Sequence, residues 1–142
     1  MTTAATLPTP THEPTRPYQL LAPAIPASVR LAREFVAGVL ETAGHQGLVD
    51  DARLCVSDVV SNVVQHAGTL MLSVQVTDFG DHVEIAVRDD NPTLRPHLRA
   101  PDEGGRGLLL VRELAAECGL NLVWDGLVVV GKCLWFELRS QE

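Results

Sequence analysis

The sequence has few cysteines and no long apolar run, and each shortage excludes a class of protein. Cys55, Cys118 and Cys133 are an odd number of thiols that lie far apart, so they form neither a disulfide framework nor a metal cluster. We expect reduced, half-buried thiols. The apolar runs are too short to cross a bilayer, and the amino terminus has neither the basic leader nor the apolar core of a secretion signal. These shortages predict a cytoplasmic protein with no membrane partner.

The sequence also lacks any run of lysine or arginine. Its formal net charge is −7 at pH 7. A negative chain without a basic run opposes broad contact with phosphate backbones, so no direct nucleic-acid partner is expected. The remaining composition, 46% hydrophobic and 20% charged residues in a chain of 142, is ordinary for a globular protein and fits one domain.

The amino-terminal segment has little to bury. Residues 1–17 contain four prolines and six threonines, which predicts a disordered tail ahead of a domain spanning 18–142. Tyr18–Ala22 is a candidate first strand. Apolar residues then recur at helical spacing from Ser28, a suitable N-cap, until Gly44, a suitable terminator.

The segment Val49–Ala67 is rich in valine, which favours strands by propensity. Its apolar residues nevertheless recur at the i, i+3, i+4, i+7 spacing of an amphipathic helix. We let the periodicity override the propensity and predict a helix. The residues that set the spacing are Val56, Val59, Val60, Val63, Val64 and Ala67.

The rest of the chain predicts a hairpin, a loop, a third helix and two closing strands. The hairpin alternates with period two around Phe79–Asp81, and the helix is expected to end at Gly119. In order, the segments are Leu70–Thr77, Val83–Asp89, the loop Asp90–Gly105, the helix Leu108–Cys118, and the strands Leu120–Trp124 and Lys132–Arg139.

This order of elements predicts an α/β two-layer sandwich. A mixed, mostly antiparallel sheet would be covered on one face by about three helices. The sequence contains no internal repeat and no sign of a second domain.

Asp58 and Asn62 stand four residues apart on the valine-rich helix, so both project from one face. Gln65 and His66 continue this polar stripe by another turn. A carboxylate and a carboxamide suit a hard cation such as Mg²⁺, which prefers oxygen ligands. The carboxylate could instead act as a general base. The alternative without chemistry is a solvent-facing stripe on a surface helix.

Asp89 shares strand parity with Val83, Ile85 and Val87, which predicts that its carboxylate points to the buried side. A buried carboxylate needs hydrogen-bond donors. The exocyclic amine of a purine is one candidate donor. Backbone amides of the Asp90–Pro92 turn are the other, in which case Asp89 is an Asx-type cap at a strand end.

The segment Glu103–Gly107 directly precedes a predicted helix. Glycines allow a ligand to approach the backbone closely, and amides at a helix amino terminus attract anions. The segment is therefore a candidate phosphate cradle, and Arg106 could add a charge-assisted contact to a terminal phosphate. The alternative is a flexible glycine loop.

A second glycine-bounded segment, Gly126–Cys133, comes close to a Walker A phosphate loop but is not expected to be one. Cys133 stands where that motif needs a hydroxyl for Mg²⁺. The four aliphatic residues between the glycines suit a strand, and the following LWFELR pattern continues it.

Taken together, these segments resemble the ATP-binding domain of the histidine-kinase-like (GHKL) ATPases, and most closely the small bacterial anti-sigma-factor serine/threonine kinases. The similarity runs from about Ser28 to Leu138. Four motifs appear in the family's order: LCVSDVVSNVVQHAG, VRDDNP, EGGRGLLLVRELA and GKCLWFEL. The resemblance implies the Bergerat-type ATP-binding fold.

The resemblance also assigns roles by motif position. Asn62, with Asp58, would ligate Mg²⁺, and Asp89 would bind the adenine amino group of ATP. Residues 92–104 would form a lid. The remaining nucleotide contacts would come from Asn91, Gly104, Gly105, Arg106, Gly107, Leu108 and Cys133.

Three positions depart from the family pattern. Asp58 stands where the family has the glutamate that is its candidate catalytic base, and it is shorter by one methylene. Asp89-Asp90-Asn91 replaces the usual D-x-G, and Cys133 replaces the usual threonine of the last motif. These changes affect catalysis more than binding.

The function implied by the resemblance is a protein serine/threonine kinase that binds a sigma factor and phosphorylates an anti-anti-sigma (STAS-type) partner. A homodimer is compatible with it. Two alternatives remain: a catalytically weak or inactive module that uses nucleotide to set its conformation, and an interaction domain independent of ATP.

Overall fold

The computed structural model describes residues 16–66, 68–91 and 106–140, and within 106–109 it describes the backbone. These ranges contain five strands, three α-helices and one short 3-10 turn at Gln46–Leu48. In chain order the longer elements are β1 (Tyr18–Pro23), α1 (Ala27–Thr42), α2 (Val49–His66), β2 (Met71–Asp78), β3 (His82–Asp89), α3 (Arg106–Leu114), β4 (Glu117–Asp125) and β5 (Val128–Arg139).

The strands form one sheet in the order β1-β2-β3-β5-β4. Each of the four pairings among the described strands is antiparallel. The two-layer α/β sandwich is thus confirmed with its antiparallel majority, and the described strands contain no parallel pair. Strand β5, the last in the chain, lies between β3 and β4.

The hydrophobic core lies between one face of this sheet and the helices. Helix α1 packs on α2, and α2 packs on α3. Alternate residues of β2, β3 and β5 supply the sheet side of the core. Its largest fully buried side chains are Phe136, Leu40, Leu72, Ile85, Leu138, Val36, Val56, Val60, Val74, Val76, Val83 and Val87.

The valine-rich segment is a helix, as its periodicity predicts. Val56, Val59, Val60 and Val63 are all buried. Valine costs up to about 0.7 kcal/mol relative to alanine in a helix. Burying each side chain contributes roughly 1.5–3 kcal/mol, so packing outweighs propensity. The helix is described to His66; the predicted last residue of the helix, residue 67, lies outside the described ranges.

The two ends of α1 differ in how well the sequence predicts them. Gly44 terminates the helix as expected: it has φ 85°, and the His45 N–H donates to the Leu40 carbonyl across 2.8 Å. The predicted N-cap is wrong. The helix begins at Ala27, and Ser28 is buried inside its first turn. Pro26, whose φ of −55° is already helical, occupies the N-cap position instead.

Helix α3 is shorter than predicted because the backbone N–H groups change their hydrogen-bond partner after Ala115. The Ala115 N–H still donates to the Val111 carbonyl, but the Ala116 N–H donates to the Glu137 carbonyl of β5. Strand β4 therefore begins at Glu117, and Cys118 and Gly119 belong to it. Sequence periodicity does not reveal this competition between helix and strand hydrogen bonds, because the strand partner lies about twenty residues further along the chain.

Gly119 has a packing role in β4 rather than the predicted role as a helix terminator. A Cβ added at this position would lie 2.7 Å from the Trp135 ring nitrogen Nε1. The indole of Trp135 thus occupies the space that a side chain would fill, on the face of the sheet opposite the helices.

The cysteines are free, as predicted, but they are not uniformly half-buried. Cys55 is buried, Cys118 is exposed and Cys133 is intermediate. Burial, assisted by the negative charges of Asp51 and Asp58, raises the pKa of the Cys55 thiol to about 12. Cys55 is therefore a neutral core residue. No described helix has the length and apolarity to cross a bilayer.

The β2–β3 hairpin is confirmed and is tied to the helical layer through Asp78. Its Oδ1 accepts a hydrogen bond from the Gly80 N–H at 2.9 Å. The same oxygen lies 2.9 Å from the His45 ring nitrogen Nε2. Burial raises the pKa of Asp78, but the Gly80 N–H and His45 outweigh it and hold that pKa below its usual 3.8.

The lowered pKa of Asp78 predicts an acid-dependent contribution to stability. A carboxylate with a depressed pKa stabilises the fold above its unfolded pKa, and this contribution is lost as pH falls through the folded value. Asp78→Asn should therefore destabilise the protein at pH 7, and its gap from wild type should narrow below about pH 4. Urea unfolding between pH 3 and pH 7 measures this gap. Asp125→Asn, an exposed change at the end of β4, is the control; a gap independent of pH at Asp78 would contradict the prediction.

Candidate nucleotide site

Asp89 is the last residue of β3, and its side chain faces the helical layer as its strand parity predicts. Val83, Ile85 and Val87 point to the same buried face as Asp89, and Asp89 itself is only 3% exposed. It pairs with Leu72 of β2 on one side and with Lys132 of β5 on the other. A carboxylate held this deeply requires donors, and the structure supplies two.

The two donors to Asp89 are a backbone amide and an ammonium group. The Asn91 N–H reaches Asp89 Oδ1 at 2.8 Å, which is the Asx-type turn that the sequence left open as an alternative. The Lys132 Nζ donates to the same oxygen at 3.1 Å. Lys132 is itself 6% exposed, so the two groups form a buried ion pair.

Lys132 was not among the predicted site residues, although a signal for it exists in the sequence. It shares strand parity with Leu134, Phe136 and Leu138, all of which belong to the core or pack against it. That parity places a cation on the buried face of the sheet, where it requires a counter-charge. Most of the Walker-like segment Gly126–Cys133 is therefore part of strand β5. Its lysine, Lys132, is the ion-pair partner of Asp89.

Gly131 allows β5 to approach the end of β3. A Cβ at this position would overlap the Asp89 carbonyl oxygen and press on the Asp90 Cα at 3.2 Å. Both neighbours are backbone atoms, so neither could move aside by a side-chain rotation. The glycine therefore fixes the close strand contact that places Lys132 opposite Asp89.

Asp58 and Asn62 lie together on α2, and both are half-buried. The neighbouring Gln65 is exposed, so the polar stripe reaches solvent one turn beyond Asn62. Asp58 interacts with at least one other group of the protein. The predicted Mg²⁺ pair therefore sits in a partly enclosed setting, at which Mg²⁺ would retain several waters and gain oxygen ligands from phosphates.

The predicted phosphate cradle is described only in its second half. Gly104 and Gly105 lie outside the described residues, as does the predicted lid at 92–104. Arg106, Gly107 and Leu108 form the backbone of the first turn of α3. Helix α3 as a whole packs against α2, the helix that carries Asp58 and Asn62.

Cys133, which the resemblance places among the nucleotide contacts, does not lie on the face of the sheet that carries the Asp89 side chain. Cys133 follows Lys132 in β5 and so projects from the other face of the sheet. There it lines a shallow depression of about 580 Å³. The other residues lining this depression include Arg88, Asn121 and Trp135. On β5 it is Lys132 that reaches the carboxylate of Asp89.

The donors and acceptors present fit a magnesium–nucleotide ligand. Asp89 offers a buried carboxylate for a base amine, α2 offers a carboxylate and an amide oxygen, and the α3 amino terminus offers backbone amides. Within the residues that the structure describes, no cluster of three or more His, Cys, Asp or Glu side chains could hold a metal by itself. Phosphate oxygens would complete the Mg²⁺ coordination.

Comparison with known proteins identifies the family. The chain belongs to the histidine kinase-like ATPase domain family, whose profile matches residues 22–136. Among solved structures, the chain is similar to the histidine kinase domain of the Erythrobacter litoralis EL346 blue-light activated histidine kinase, at 20% identity and a TM-score of 0.43. The similarity covers 78% of this chain and 60% of that one. No curated protein matches the sequence.

Proposed function

We propose that this chain is an ATP-binding regulator of the anti-sigma-factor type. In this proposal it binds a sigma factor and transfers the γ-phosphate of Mg-ATP to a serine or threonine of a STAS-type anti-anti-sigma partner. The observation that carries the nucleotide part is the buried carboxylate of Asp89 at the end of β3. The partner classes rest on the motif resemblance.

Each group would contribute positioning or charge neutralisation, which account for most of the catalysis of phosphoryl transfer. Asn62 would hold the Mg²⁺ of Mg-ATP, which would supply positive charge at the phosphates, and the backbone amides at the α3 amino terminus would stabilise the negative charge of the phosphates. Asp58 would accept the proton of the attacking hydroxyl. Asp89 would orient the adenine ring of ATP.

The proposal is tested by direct binding and by transfer. Titration calorimetry should detect Mg-ATP binding, and a pull-down with mass spectrometry, with and without Mg-ATP, should recover the partners. Labelled γ-phosphate should then move to the recovered STAS-type partner. Binding without transfer to any recovered partner would contradict the kinase part, and absence of binding would contradict the nucleotide part.

A matched pair of variants on α2 separates the metal site from the helix itself. Asn62→Ala should lower transfer, because it removes an oxygen ligand from the proposed Mg²⁺ site. Gln65→Ala, one turn further and exposed, should leave transfer unchanged. Equal losses in both variants would indicate damage to the helix and not loss of a ligand.

We expect Asp58→Asn to lower the transfer rate by about 10²-fold, because it removes the proposed general base. Single-turnover transfer at saturating Mg-ATP measures the chemical step apart from binding. Circular dichroism provides the folding control. A rate equal to that of wild type would remove Asp58 from the mechanism.

The second candidate function is a nucleotide-dependent binding module that does not turn over. The replacement of the family's glutamate by Asp58 favours it, because a side chain shorter by one methylene shortens the reach of the base. If reach alone abolished chemistry, Asp58→Glu should create transfer where wild type has none. Partner binding that changes with Mg-ATP, without transfer in either protein, would support the module.

A further inference from the structure

The ion pair at Asp89 has a consequence for nucleotide recognition. A carboxylate oxygen that accepts from the exocyclic amine of a base must be free or must exchange its current partner. Asp89 Oδ1 already receives the Asn91 N–H at 2.8 Å and the Lys132 Nζ at 3.1 Å. The ammonium thus occupies an acceptor position on the residue that is proposed to read adenine.

We propose that Lys132 sets nucleotide affinity and base selectivity, by competing with the amino group of adenine for Asp89. This inference rests on the proposed nucleotide function. A ligand amine must either displace the ammonium or share the carboxylate with it. Displacement separates a buried ion pair, which opposes binding. Sharing leaves less of the carboxylate's charge for the base.

The burial of both groups makes the competition strong. Asp89 is 3% exposed and Lys132 is 6% exposed, so water cannot readily replace either partner. The ammonium is also held in place, since it extends from a strand whose backbone pairs directly with that of Asp89. A surface lysine could swing into solvent at little cost, but this one must leave a buried contact.

The ammonium also alters which bases the site can accept. Adenine presents an amine to Asp89, whereas hypoxanthine presents a carbonyl oxygen at the same ring position. A lone carboxylate repels that carbonyl, while an ammonium can donate to it. Lys132 should therefore make the site tolerant of ITP, and its removal should make the site selective for ATP.

The experiment compares wild type with Lys132→Met and Lys132→Gln. Methionine removes the charge at similar length, and glutamine keeps a neutral donor in case the methionine variant does not fold. Calorimetry measures the dissociation constants of Mg-ATP and Mg-ITP for wild type and for each variant. We expect Mg-ATP binding to tighten by at least about 10-fold on loss of the ammonium, equivalent to about 1.4 kcal/mol. The ratio of ITP to ATP dissociation constants should rise by a similar factor.

Two results would overturn the inference while leaving the proposed function intact. One is unchanged or weaker Mg-ATP binding in a folded variant, which would show that Lys132 is neutral or itself a ligand contact. The other is an unchanged ratio of the ITP and ATP constants. If neither wild type nor the variants bind Mg-ATP, the nucleotide function fails and the inference fails with it. Binding by the variants alone would support the inference and contradict ATP binding by wild type.

A measurement on the unmodified protein adds an independent check. Lys132 is the single lysine in the sequence, so labelling lysine with ¹³C at Cε gives one side-chain signal. Saturating Mg-ATP should shift this signal, because the ammonium loses or shares its carboxylate partner. A signal that stays fixed while calorimetry reports binding would contradict the competition.

Discussion

Replacing Asp89 by leucine, which has a similar volume, is expected to lower the free energy of unfolding by about 3–5 kcal/mol. The change removes one partner of a buried ion pair and leaves the Lys132 ammonium without a counter-charge. It also deprives the Asn91 N–H of its acceptor. Urea unfolding at pH 7 measures the loss, with the fluorescence of Trp135 as one reporter.

The matched control removes both charges. In Asp89→Leu/Lys132→Met no buried charge remains, so most of the loss should be recovered. A deficit of about 0.5–1.5 kcal/mol is expected, because the half-buried Asn91 N–H loses its hydrogen bond to Asp89. Wild type, Asp89→Leu, Lys132→Met and the double variant form a double-mutant cycle. The coupling energy of this cycle measures the interaction between Asp89 and Lys132. A coupling near zero would show that the ion pair does not stabilise the folded state.

Gly131→Ala is the second change with a large expected effect, of about 3 kcal/mol in the free energy of unfolding. The new Cβ would overlap the Asp89 carbonyl oxygen, so β5 must move away from the end of β3. Because the obstruction is backbone, a rotamer change cannot relieve it. The same shift would carry Lys132 away from Asp89, so nucleotide binding should change together with stability.

Gly38→Ala is the control for the backbone effect of adding a methyl group. Gly38 lies in α1, where an added Cβ meets nothing within 4 Å. Alanine should therefore stabilise the protein by roughly 0.5–1 kcal/mol through helix propensity. Thermal and urea unfolding of both variants provide the comparison. Stability equal to wild type in Gly131→Ala would contradict the close strand approach.

The parts of the fold that the sequence predicts well are those governed by local periodicity. Helix α2 forms despite its valines because their 3.6-residue spacing places several on one buried face. The β2–β3 hairpin follows from two alternating runs around a turn whose Gly80 has φ 95°. In both cases the residues that decide the structure are neighbours in the chain.

The errors occur where a distant segment competes. Helix α3 ends early because Ala116 finds a hydrogen-bond acceptor at Glu137 in β5. Ser28 has the chemistry of an N-cap, but packing buries it inside the first turn of a helix that begins at Ala27. Gly119 marks the place where Trp135 lies on the sheet. Glu137 and Trp135 both lie outside a window of about fifteen residues centred on the positions they affect.

The candidate site divides in the same way. Motif order indicated Asp58, Asn62 and Asp89, and strand parity correctly predicted that Asp89 is buried. The ion-pair partner of Asp89 could not be predicted, because local sequence patterns do not indicate that β5 pairs with β3 in the sheet. Once that order is known, the register places Lys132 opposite Asp89 and turns Cys133 to the other face.

The strand order also determines at which stage of folding Asp89 can form its ion pair with Lys132. Asp89 and Lys132 are 43 residues apart in sequence, and β5 leaves the ribosome after every other described element. Until that strand inserts between β3 and β4, the carboxylate can stay hydrated at an unfinished sheet edge. The contact between Lys132 and Asp89 is therefore expected to be among the last to form, and it depends on a long-range pairing of the kind that slows folding.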